Sequence, residues 1–201
     1  DGLGFRYEIP NQPNLHEFII TDEHTEFALT ENFSAWWIPA YGPEMDSEYL
    51  YKNTKLSEIK EKISTPATFE SGEKLFVSIH EAALIDYAGM ALERNGGLKL
   101  KCDLIAWANG DRVVASAPMR TPWRTIQLAT RPGDLITSYL ILNLNKPNKL
   151  TDVSWIKPGK VAWDWWNNWN ILHVDFRAGI NTPTYKYYID FAAANKLEYI
   201  V

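Results

Sequence analysis

Lys160-Val161-Ala162-Trp163-Asp164-Trp165-Trp166, then Thr182-Pro183 with the helical run to Ala193, then Leu197-Glu198-Tyr199-Ile200-Val201 are the stretches that decide the fold. The first reads as a strand. A loop through Gly179-Ile180-Asn181 follows, and Thr182-Pro183 opens a helix, with Thr as N-cap and Pro suited to the first turn. Tyr185, Tyr188, Ile189, Ala192 and Ala193 fall on one helical face. Asn195-Lys196 breaks that helix, and Leu197 begins a second strand. Strand, helix, strand is the unit of a parallel sheet. Such strands need neighbours on their edges and cover on both faces. Two strands and one helix cannot close a barrel, so the expectation is a chain cut short at Val201.

Upstream the pattern differs. Gly4–Ile9, Glu17–Ile20, Phe27–Leu29, Ser34–Tyr41, Ala67–Glu70, Lys74–His80, Leu98–Lys101, Val113–Ser116, Trp123–Leu128 and Thr137–Leu142 read as short strands punctuated by Gly, Pro and Asn. That spacing suggests a sandwich or barrel. Lys55–Ile63 has apolar residues at helical spacing over a turn or two. The polar, Pro-bearing Asn143–Lys149 stretch marks a boundary. The expected organisation is a partial β-sandwich over 1–152 and an α/β piece over 153–201.

Composition bounds the function. The 201 residues are 46% hydrophobic and 22% charged, as in a globular protein, with net charge −5. A nucleic-acid partner is not expected, because phosphates call for a basic face. Nor is a membrane span, since no run of about 18 apolar residues exists. One cysteine, Cys102, excludes an internal disulfide framework. Nine Trp, ten Tyr and eight Phe lean toward carbohydrate, because aromatic faces stack on sugars, although they also fill ordinary cores.

Two motifs carry candidate chemistry. In Ser78-Ile79-His80-Glu81-Ala82-Ala83, a carboxylate at a strand end could ligate a hard cation, which takes about six to eight oxygens. An exposed strand-end Glu is the plainer reading, and His80 with Glu81 makes no zinc motif. In Trp163-Asp164-Trp165-Trp166-Asn167, indoles beside an Asp and an Asn supply a stacking platform and hydroxyl acceptors. Strand alternation would put Trp163 and Trp165 on one side and Asp164 and Trp166 on the other. Packing of the indoles in a core is the competing reading. Glu93, Asp103, Asp111, Asp134, Asp152, Asp164, Asp175 and Glu198 offer no recognisable acid/base pair; retention needs two carboxyls about 5–5.5 Å apart. No nucleophile elbow, P-loop or dinucleotide fingerprint is present.

Gly4-Phe5-Arg6-Tyr7, Ala35-Trp36-Trp37-Ile38-Pro39-Ala40-Tyr41, Glu81 to Met90, Thr121-Pro122-Trp123-Arg124-Thr125-Ile126 and Pro132-Gly133-Asp134-Leu135-Ile136 stand in that order. Leu142-Asn143-Leu144-Asn145, Ser154 to Lys160 and Tyr188-Ile189-Asp190-Phe191-Ala192 follow. Together they resemble glycoside hydrolase family 97, bacterial exo-acting α-glycosidases. The resemblance implies an N-terminal β-super-sandwich, a catalytic (β/α)₈ barrel of which this chain holds the first βαβ unit, and a C-terminal β-domain. It also implies a calcium ion partly held by Glu81, with catalytic carboxylates outside this chain. By the same resemblance Asp164, Trp165 and Trp166 contact the oligosaccharide substrate, and the partner is the remainder of the enzyme in a periplasmic or exported setting. The Trp163–Asn167 run resembles the retaining, α-galactosidase branch; an inverting α-glucosidase and a non-catalytic carbohydrate-binding sandwich are the alternatives.

Overall fold

The computed structural model describes residues 1–41 and 48–201. The chain forms two compact units, Asp1–Pro147 and Asn148–Val201.

The first unit contains, in chain order, β1 (Gly2–Phe5), β2 (Glu8–Ile9), β3 (Glu17–Ile20), β4 (Glu26–Ala28), β5 (Ser34–Trp37), β6 (Lys52–Lys55) and β7 (Ile63–Ser64). It continues with β8 (Ala67–Glu70), β9 (Phe76–Ala82), β10 (Met90–Arg94), β11 (Lys99–Leu104), β12 (Val113–Ser116), β13 (Met119–Arg120) and β14 (Trp123–Ala129). Two helices, α1 (Pro132–Thr137) and α2 (Leu140–Asn143), follow. An antiparallel six-stranded sheet runs β1-β14-β9-β8-β5-β6, and a four-stranded sheet runs β4-β11-β10-β7. The ribbons β12-β3 and β13-β2 complete the unit.

Alternation explains why the sheets pack. In β9, Val77 and Ile79 enter the core, where they meet Phe27, Trp37, Phe69, Leu92 and Leu100. Each fully buried side chain of this size contributes roughly 1.5–3 kcal/mol relative to exposure. Gly4 leaves room on β1 for Leu144, the C-cap of α2, because a Cβ there would lie 2.5 Å from Leu144 Cδ1.

Some sequence expectations are corrected. Thr137–Leu142 is not a strand but the end of α1 and the start of α2. Pro132 sits in the first turn of α1, and Asn143 N–H donates to Tyr139 C=O at 2.8 Å. Strand propensity in Ile and Tyr yields here to local helical bonding. Gly4–Ile9 divides into β1 and β2, and Lys55–Ile63 holds one 3₁₀ turn, Leu56–Glu58.

The second unit contains β15 (Val161–Ala162), a 3₁₀ turn (Asp164–Asn167), α3 (Thr182–Ala194) and β16 (Tyr199–Ile200). The two strands pair in parallel, Val161 with Tyr199 and Ala162 with Ile200, so the βαβ reading holds. Ala162, Tyr188 and Ala192 form its small core, joined by Ile171 and Leu197. The buried face of α3 is Thr184, Tyr188 and Ala192, whereas Ile189 is exposed. Its N-cap is Asn181, not Thr182; the Asn181 amide oxygen accepts from Thr184 N–H at 3.1 Å. Within this unit Val161, Tyr199 and Phe191 remain exposed, as expected of strands and a helix with few neighbours.

Candidate functional site

Glu81 lies on β9 directly opposite Arg124 of β14. In the same register Ile79 stands opposite Ile126, so the ion pair continues the row that lines the core. Glu81 is therefore not an exposed strand-end carboxylate. It is 8% exposed, and Arg124 is fully buried. Arg124 Nη1 donates to Glu81 Oε2 at 2.7 Å, and Met90 N–H donates to Glu81 Oε1 at 3.1 Å.

The guanidinium also reaches the loop before β4. Its Nε and Nη2 donate to Glu23 Oε1 and Oε2 at 2.8 and 2.6 Å, the two-pronged geometry that planar Arg favours. Thr25 Oγ1 donates to Glu23 Oε1 at 2.8 Å, and Tyr87 OH donates to Oε2 at 3.0 Å. The Tyr87 ring centroid lies 5.7 Å from Arg124 Cζ. Burial alone would raise the Glu23 pKa, but the Arg124 hydrogen bonds and charge, with Thr25 and Tyr87, outweigh it and hold the carboxyl below its ordinary value. Among the described residues two buried carboxylates face one guanidinium, which leaves one negative charge over.

A cavity of about 290 Å³ opens beside this charge, lined by Tyr41, Thr65, His80, Glu81, Gly89 and Ile105 among others. His80 Nδ1 is 3.1 Å from Thr65 Oγ1, and burial pulls its pKa down despite the neighbouring Glu81 charge. The 83–89 connection carries the chain from one sheet to the other, with Ala83 and Asp86 in left-handed conformations (φ 52° and 50°). Such residues cost about 1–3 kcal/mol each and persist where the surroundings over-determine them.

The donor set fits one part of a hard-cation site. A carboxylate offers about four lone-pair positions, and each Glu81 oxygen has one hydrogen-bond partner among the described residues. Among the described residues no group of three or more His, Cys, Asp or Glu side chains could hold a metal ion. Glu81 thus fits as a contributing ligand and not as a complete site.

In the second unit the chain turns rather than continuing as a strand. Asp164 is buried; its Oδ1 accepts from Trp165 N–H and its Oδ2 from Trp169 Nε1–H, both at 2.8 Å. Asn168 and Trp169 adopt left-handed conformations (φ 56° and 54°). Tyr188 OH donates to Asn167 Oδ1 at 2.7 Å, tying the turn to α3. The alternation expected of a strand is therefore replaced by a cluster. The Trp163 ring lies 5.7 Å from both the Trp165 and the Trp166 rings, tilted by 35° and 37°. Trp163, Trp165 and Trp166 are 44%, 52% and 79% exposed, so within this unit they are surface indoles around a buried carboxylate.

Other acidic residues have local partners. Asp103 pairs with Lys62 at 3.0 Å, and Glu198 Oε2 accepts from Lys160 N–H at 2.7 Å. Sequence reasoning did not single out Arg124 or Glu23. The available signal was parity, because Arg124 shares the inward-facing phase of Ile126 in β14.

An antiparallel β-sandwich followed along the chain by a parallel βαβ unit defines a modular protein with a mostly-β first unit and an α/β second one. A family model described as Glycosyl-hydrolase 97 N-terminal matches residues 1–147, and one described as Glycoside hydrolase 97 matches residues 165–201. The chain belongs to glycoside hydrolase family 97. It is 31% identical to a retaining alpha-galactosidase of Bacteroides thetaiotaomicron over 100% of this chain and 34% of that protein. A probable retaining alpha-galactosidase of Streptomyces bingchenggensis is 27% identical, with 29% of its length covered. A family 97 enzyme of Pseudoalteromonas sp. strain K8, solved with acarbose, superposes with TM-score 0.81 at 42% identity, covering 99% of this chain and 30% of that one. The same enzyme has been solved as an E480Q form with panose. The chain thus spans about a third of the length of these relatives.

Proposed function

We propose that this chain is part of a longer glycoside hydrolase that removes terminal α-galactosyl units with retention, assisted by calcium. The observation that carries the calcium reading is the buried Glu81, whose cluster holds one uncompensated negative charge beside a cavity. Glu81 would be one oxygen ligand, the others coming from residues outside this chain. When bound, the ion would orient substrate and stabilise developing negative charge. The bond-breaking carboxylates would also lie outside the chain, about 5–5.5 Å apart in a retaining enzyme. Trp165 and Trp166 would stack on a sugar ring, and Asp164 would hold the turn that presents them. The remainder of the enzyme is the chain's partner, and a periplasmic or exported location accompanies this reading.

A second reading is an inverting α-glucosidase; its glucoside part is supported by the 42% identity to the Pseudoalteromonas enzyme, one of whose structures holds panose. Panose, found in one of its structures, is an α-linked glucose trisaccharide. Assay of the full-length enzyme on nitrophenyl α-galactoside and α-glucoside, with NMR of the first-formed anomer, tests the proposal. Faster α-galactoside hydrolysis with the α-anomer released first supports the galactosidase. Preference for glucoside with inversion installs the second reading. Sugar binding without turnover on either substrate would make the protein a binding module.

A further inference from the structure

The two carboxylates that share Arg124 are not equivalent, and the difference assigns them separate tasks. Glu23 Oε1 accepts from Arg124 Nε and Thr25 Oγ1, while Oε2 accepts from Arg124 Nη2 and Tyr87 OH. Four donors occupy the roughly four lone-pair positions of a carboxylate. Glu23 therefore has no oxygen position left for a cation. Among the described residues Glu81 has one donor on each oxygen, Arg124 Nη1 and Met90 N–H, and it borders the 290 Å³ cavity. The guanidinium is fully buried, so bulk water does not screen its contacts.

We propose that Glu23 and Arg124 are positioning residues for the cation ligand Glu81. Glu23 neutralises the guanidinium and fixes its plane; Arg124 in turn fixes the Glu81 carboxylate while leaving its charge for the cation. This rests on the calcium reading above and extends it to residues that never touch the ion. Without the Glu23 charge, Arg124 would neutralise Glu81 alone, and a cation approaching the cavity would meet a neutral pair. Outer partners of metal ligands shift affinity by about 10–100-fold when lost, and the same range is expected here.

The test is calorimetric titration of metal-free full-length enzyme with Ca²⁺ alone, in the absence of substrate. Glu23→Gln is expected to raise the Ca²⁺ Kd at least tenfold. Glu81→Gln is expected to raise it further. Should Glu23→Gln not fold, the milder pair Thr25→Ala and Tyr87→Phe removes two of the four donors and is expected to weaken Ca²⁺ several-fold. A Kd within twofold of the parent in the folded Glu23 variant, or in that pair where it stands in, overturns the positioning role. If Glu81→Gln weakens Ca²⁺ while those variants do not, the calcium reading stands and the positioning role falls. If the parent binds no Ca²⁺, or Glu81→Gln leaves its affinity unchanged, both fall together.

Discussion

Arg124 Nη1 and Glu81 Oε2 sit 2.7 Å apart across neighbouring antiparallel strands, in a register where the next inward pair is Ile126 and Ile79. A salt bridge in a row otherwise apolar requires every polar atom to be matched, because removing one partner strands the other in a low-dielectric interior. Arg124→Met, close in volume but uncharged, leaves two buried carboxylates without a cation. The expected loss is about 3–5 kcal/mol, read as a lower midpoint in urea unfolding.

The depressed Glu23 pKa makes stability acid-sensitive. A carboxyl whose folded pKa lies below its unfolded value contributes stability above the unfolded value, here 4.5. That contribution is lost as pH falls through the lower folded pKa. Urea unfolding at a series of pH values should show stability declining below about pH 4.5. Glu23→Gln should flatten that part of the profile while lowering the plateau above it.

Trp169 anchors Asp164 through its indole N–H. Trp169→Phe removes that donor and leaves a buried carboxylate oxygen short of a partner, a cost of about 1–3 kcal/mol. Thermal melting should record the loss. In the full-length enzyme KM should rise more than kcat falls if the neighbouring indoles bind sugar.

Asn181 caps α3 by accepting from Thr184 N–H. Asn181→Ala should destabilise the second unit by about 0.5–2 kcal/mol, measured by hydrogen exchange along α3. Thr182→Ala should cost less, since Thr182 is the first residue of the helix and not its cap.

Strands whose alternation bounds a core were legible. Val113–Ser116 is β12 residue for residue, Trp123–Leu128 falls within β14, and the parallel pairing of β15 with β16 follows the strand-helix-strand pattern. Thr137–Leu142 was misread because its residues favour strands while Pro132 and local bonding start helices there. The Trp163–Trp166 alternation failed for a different reason. The Asp164 carboxylate captures Trp165 N–H and the Trp169 indole, and so bends the chain after Ala162. Glu81 stands out only through the family resemblance, its motif alone pointing to an exposed strand-end Glu, and its partners were not legible, since Glu23 and Arg124 are 101 residues apart in sequence.

Asp164 grips its turn at two points, and Tyr188 secures the same turn from the helix. The backbone that carries the three indoles is consequently set when the chain folds, and their rings lie 5.7 Å apart in two tilted pairs. A sugar ring laid on that surface would surrender its own rotational and translational freedom while demanding little new immobilisation from the protein. If Trp165 and Trp166 take a sugar as proposed, weak stacking would suffice there, and rapid release would remain compatible with recognition.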